Sequence, residues 1–93
     1  MASKEKLLVR AKLSPNNLRF GDLCKLAEQY GWVESRKGKG SHKIYFNPEF
    51  PDLDGAMMNF QEGESGKAKR YQVEQLIDAI LRLEDHRTGR RNK

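Results

Sequence analysis

Ninety-three residues with 37% apolar content describe one small domain with a modest core, expected to bury only about 60–65% of its unfolded surface. Eighteen Lys and Arg against 13 Asp and Glu leave a net charge of +5, which favours an anionic partner such as nucleic acid. A single cysteine, two distant histidines and no apolar run near the roughly 20 residues that span a bilayer argue against a disulfide framework, a zinc site and a membrane helix.

The N-terminus lacks the apolar stretch of a signal peptide, so a cytoplasmic protein without metal or cofactor is expected. Charge is unevenly spread. From Ile44 to Gly66 there is no Lys or Arg, while Glu49, Asp52, Asp54, Glu62 and Glu64 fall inside that window; the pairs Asp52/Asp54 and Glu62/Glu64 read as loop solubility features. The basic charge therefore belongs to the two ends and to the loop before His42.

Lys4 to Lys12 carries Leu7, Leu8 and Ala11 among charges, a weak element of one or two helical turns. Ser14-Pro15-Asn16-Asn17 is turn chemistry, with asparagines able to cap the helix that follows. That helix is expected from Leu18 to Tyr30, because Phe20, Leu23, Cys24 and Ala27 recur at helical spacing and Leu26 and Tyr30 widen the stripe. Cys24, on this apolar face, reads as buried and inert. Gly31 supplies the left-handed residue that ends a helix, and Trp32 folds back onto its last turn.

Trp32 to Arg36 and Ser41 to Asn47 read as two strands of a hairpin, joined by the glycine-rich turn Lys37-Gly38-Lys39-Gly40. Alternation places His42, Ile44 and Phe46 on one face of the second strand and Ser41, Lys43 and Tyr45 on the other. If Ile44 and Phe46 face the helices, His42 lies at the rim of the core. Pro48 ends the strand, and Ala56 to Gln61 follows as a third, with Met58 and Phe60 on a common face.

The basic run Lys67-Ala68-Lys69-Arg70 leads into the clearest helix, Tyr71 to Glu84, whose apolar positions are Val73, Leu76, Ile77, Ile80 and Leu83. Residues 85–93 hold only polar and basic side chains apart from glycine and read as a disordered tail, with His86 exposed at its border. The division is thus an N-terminal extension over 1–17, short helix or disordered, a single domain over 18–84, and a tail over 85–93. An α+β fold with a three-stranded antiparallel sheet and two helices on one face gives each amphipathic stripe a partner.

His42 stands out chemically because imidazole exchanges protons near neutral pH and the preceding loop is cationic and permissive. The α-β-β-β-α order, the helix ending at Gly31-Trp32 and the Gly40-Ser41-His42 turn entering an aromatic strand resemble the HicA toxins, or YcfA-like proteins, of bacterial toxin–antitoxin modules. Leu18-Arg19-Phe20-Gly21-Asp22-Leu23 and Gly66-Lys67-Ala68-Lys69-Arg70-Tyr71-Gln72-Val73 extend the resemblance over Leu18 to Leu83. It departs where many members carry further histidines: this chain has Lys43 after His42, and Asn59-Phe60-Gln61 at the end of the third strand. The usual small, polar start of the last helix is here Arg70-Tyr71-Gln72.

The resemblance implies a double-stranded-RNA-binding-domain-like fold and metal-independent endoribonuclease action on mRNA, restrained by a HicB-type antitoxin; a small core with two helices on one face is compatible with a monomer when free. His42 takes the place of the family's catalytic histidine and serves as general base. Lys39, Lys43 and backbone amides at Gly40 and Ser41 are candidates to stabilise phosphate charge. Lys67, Lys69 and Arg70 are candidates to hold the strand, and Tyr45 with Trp32 to stack on bases, although Trp32 also reads as core. Two other readings stay open: a non-catalytic RNA-binding module on the same scaffold, and a basic protein-interaction domain.

Overall fold

The structure is a computed structural model that describes residues 4–37, 42–49, 52 and 55–88. Three helices and three strands run in the order α1 (Lys4–Leu13), α2 (Phe20–Gln29), β1 (Val33–Lys37), β2 (His42–Phe46), β3 (Met57–Gln61) and α3 (Arg70–Thr88), with a 3-10 turn at Glu64–Gly66. The strands form one antiparallel sheet in the order β1-β2-β3. Among the described residues no helix is long and apolar enough to cross a membrane.

The end of α2 follows the expectation from its glycine. Gly31 takes φ +106°, the Trp32 N–H donates to the Ala27 carbonyl at 3.0 Å and the Gly31 N–H to Glu28 at 3.2 Å, the paired bonds of a Schellman cap. Trp32 is then fully buried, and its indole N–H donates to the carbonyls of Ala56 (3.0 Å) and Gly55 (3.2 Å). This bond ties the end of α2 to the entry of β3, and it makes Trp32 a core residue rather than a stacking surface.

The start of α2 differs from expectation. Helix geometry begins at Phe20, the N-cap is Arg19, and no side chain caps it. Leu18 and Arg19 are instead extended and paired: Arg19 bridges Lys67, and the Ala68 N–H donates to the Leu18 carbonyl at 2.8 Å. Asn17 accepts from the Lys67 ammonium at 3.3 Å. These long-range pairings fix the entry to α2, while its first turn has no side-chain cap.

The core joins Leu7 and Ala11 of α1, Leu23, Leu26 and Ala27 of α2, Tyr45, Met58 and Phe60 of the sheet, and Val73, Leu76, Ala79, Ile80 and Leu83 of α3. The weak N-terminal element is therefore a ten-residue helix with Leu7 and Ala11 fully committed to the core, and the helical layer contains three helices rather than two. Its own apolar edge is too thin to predict this; burial against α2 and α3 supplies the stability. Helix α3 continues to Thr88, four residues past the expected end, with Ala79 rather than Ile77 in its fully buried stripe. Residues 89–93 of the expected tail lie outside the described residues.

The sheet is inverted relative to expectation. Register pairs Tyr45 with Met58 and Lys43 with Phe60, so Tyr45, Met58 and Phe60 form the helix-facing row, and His42, Ile44 and Phe46 look away from the helices. Tyr45 and Phe60 pack with ring centroids 5.5 Å apart.

Candidate functional site

His42 is the first residue of β2 and is exposed on the open face of the sheet. Its pairing partner on β3 is Gln61, and its Nδ1 lies 3.5 Å from Oδ1 of Asn59, one pleat away on the same face. A hydrogen on Nδ1 would donate to this amide oxygen and leave Nε2 as the ring's acceptor nitrogen. A groove of about 380 Å³ opens beside the ring, lined by His42, Met57, Asn59, Gln61, Tyr71 and Gln75.

One buried residue builds that groove. β3 is an edge strand whose outward N–H and C=O would otherwise lack a partner. Gln72, 4% exposed on the first turn of α3, lays its carboxamide along this edge. Its Oε1 accepts from the Gln61 N–H at 3.0 Å, and its Nε2 donates to the Asn59 carbonyl at 2.9 Å. The side chain does the work of a neighbouring strand, and it locks Asn59 and Gln61 into the positions from which they flank His42.

The basic run before α3 is divided by its contacts. Lys69 donates to Gln61 Oε1 at 3.0 Å, which connects a cation to the strand partner of His42. Lys67 is held by Asn17. Arg70 pairs with Glu74 one helical turn on, at 2.9 Å. A tight connection shapes the run, with the Gly63 N–H donating to the Lys67 carbonyl at 2.7 Å and Glu62 bridging Ala68. Of the three, Lys69 is the one that these bonds join to the His42 surface.

Two expected site residues belong elsewhere. Tyr45 is 1% exposed, and its hydroxyl donates to Glu28 Oε2 at 3.0 Å on the helix side of the sheet, so it is core and offers no face to a base. Burial first, then hydrogen bonding with Cys24 and Glu28, pushes its phenol above the ordinary range. Burial likewise raises the Cys24 thiol, partly opposed by Tyr45 and the Lys43 charge, which keeps it protonated and inert at neutral pH. Lys43 shares the Tyr45 side and lies 3.9 Å from Glu34 across the hairpin, on the face opposite His42. Lys39, Gly40 and Ser41 lie outside the described residues.

The structure also brings forward residues that the sequence reading left aside. Tyr71, 56% exposed, and Gln75 both line the groove from α3, while Met57, Asn59 and Gln61 line it from β3. Period-two alternation already groups Met57, Asn59 and Gln61, and the i, i+4 spacing of Tyr71 and Gln75 groups these two. That the two groups meet depends on how α3 docks against the β3 edge. Compared with protein-family models, with curated proteins and with solved structures, the chain matches none.

Proposed function

We propose that this protein is a HicA-like toxin, an endoribonuclease that cuts mRNA without a metal ion, with His42 as general base. The observation that carries this reading is an exposed imidazole at the mouth of a strand, oriented at Nδ1 by Asn59 and opening onto a groove. RNA contains its own nucleophile. Nε2 of His42 would take the proton of a 2′-hydroxyl, whose oxygen attacks the adjacent phosphorus; the P–O5′ bond breaks, giving a 2′,3′-cyclic phosphate and a 5′-hydroxyl. The departing oxygen takes its proton from a lysine or from water. Lys69, linked through Gln61, supplies positive charge toward the phosphate.

The α+β architecture supports a double-stranded-RNA-binding-domain-like scaffold, with α1 as an addition to the α-β-β-β-α order. In this reading the free protein is a cytoplasmic monomer, and a HicB-type antitoxin restrains it by covering the open face of the sheet. The test is expression of the native chain and of His42→Ala in a bacterial host, with purified RNA incubated with each protein in the presence of a chelator. Growth arrest and RNA breakdown by the native chain alone are expected. Equal arrest by both, or RNA left intact by both, would overturn the enzymatic reading. Salt-sensitive RNA binding with no cleavage at any pH would replace it with a non-catalytic RNA-binding module. A stable complex with an acidic protein and no RNA affinity would replace it with an interaction domain.

A further inference from the structure

The groove beside His42 has an unusual lining for a charged-substrate site. Apart from the imidazole it presents carboxamides, two thioethers and one aromatic ring. Several of the polar atoms are already committed. Both ends of Gln72 hold the β3 edge, Asn59 Oδ1 faces His42, and Gln61 Oε1 accepts from Lys69. The Gln75 carboxamide is exposed and, among the described residues, engages no partner. Tyr71 adds an aromatic ring on an exposed residue, and its hydroxyl accepts from Gln72 Nε2 at 3.4 Å, which holds one end of the ring.

An aromatic ring next to a free donor–acceptor pair is suited to a flat heterocycle with both donors and acceptors on its rim. Lys69 stands at the end of the same network, where a phosphate attached to that heterocycle would be drawn. We infer that this groove receives one unpaired purine base, stacked on Tyr71 and bonded at its edge by the Gln75 carboxamide, and so sets where the chain is cut. The inference rests on the RNA-cleavage reading of His42 and extends it to a choice of base. A purine is favoured over a pyrimidine because its larger face covers more of the ring, and a carboxamide can donate and accept at once on a base edge.

The test uses the full native chain and fluorescent RNA octamers that are 2′-O-methylated throughout, which lack the nucleophilic hydroxyl and leave the groove intact, at one fixed salt concentration. An all-uridine octamer is compared with octamers carrying a single adenine. One adenine is expected to tighten binding, and Tyr71→Ala to weaken the adenine octamer at least about fivefold, a larger loss than it causes in the all-uridine octamer, where stacking is weaker. Tyr71→Phe retains the ring and should keep the preference; Gln75→Leu should reduce it. Both positions are exposed, so folding is preserved. Octamers that bind alike with and without adenine, or a preference that survives Tyr71→Ala, would overturn the base site and leave the cleavage reading standing. No binding of any octamer, together with intact RNA in the native-chain assay, would overturn both.

Discussion

Tyr45 and His42 stand three residues apart on one five-residue strand, and the fold gives them opposite surroundings. Tyr45 looks into the helical layer, packs on Phe60 and gives its hydroxyl to Glu28. His42 looks the other way, into solvent and a groove bounded by side-chain amides. The difference teaches how a small domain separates stability from chemistry: one face of the sheet is spent on the core, which leaves the other free to carry polar groups with unfilled hydrogen-bonding capacity.

The sharpest way to break the comparison is to truncate each residue in turn. Tyr45→Ala removes a fully buried aromatic and should cost about 3–5 kcal/mol, a large share of the about 5–15 kcal/mol that holds a domain folded, as read from urea or thermal unfolding. His42→Ala should leave unfolding within about 0.5 kcal/mol of the native value, as expected of an exposed site. Under the proposed function its effect belongs to activity: loss of His42 as general base should lower RNA cleavage by about 10²–10⁴-fold. If His42→Ala unfolds the chain, or Tyr45→Ala is tolerated, the assignment of the two faces is wrong.

Between these extremes lies Gln72, which joins the two roles. Gln72→Leu keeps the bulk but leaves the Gln61 N–H and the Asn59 carbonyl without their partner, at a cost of about 1–3 kcal/mol in unfolding. Hydrogen exchange at the Gln61 amide should rise in the same variant. Unchanged exchange would mean that the helix, not this carboxamide, protects the edge.

The smallest effect is a matter of pH. Tyr45 and Cys24 both have folded-state values raised above the ordinary 10.0 and 9.0, so the folded protein keeps protons that the unfolded chain has lost in alkali. Their contribution to stability is complete below pH 9 and declines as pH rises above those ordinary values. The unfolding midpoint should therefore fall between pH 8 and pH 11, and the decline should be shallower in Tyr45→Phe. His42→Ala should leave it unaltered.

Much of the architecture is legible in residue order. The helical stripes of α2 and α3, the glycine that ends α2 and the three strands rest on local periodicity and backbone preference, which act through neighbours in sequence. The site was legible only in part: His42 is conspicuous as a chemical group, whereas Asn59, Gln61, Tyr71 and Gln75 are ordinary polar residues until α3 is docked beside β3. Tyr45 and Lys43 were misplaced for a related reason. Alternation sorts a strand into two faces without saying which is inside, and Ile44 with Phe46 is the more apolar pair.

What the sequence alone determined is thus the set of elements and the presence of one titratable group at the mouth of a strand. What only the tertiary structure decided is which face that group occupies, that α1 joins the core and that Gln72 closes the sheet edge. The physical reason is common to all three. Each depends on partners far apart in sequence: Tyr45 on Met58, Phe60 and Glu28, Leu7 and Ala11 on α2 and α3, and Gln72 on the outward backbone of Asn59 and Gln61. Burial and hydrogen bonding reward the complete arrangement, and no single segment contains the information to choose it.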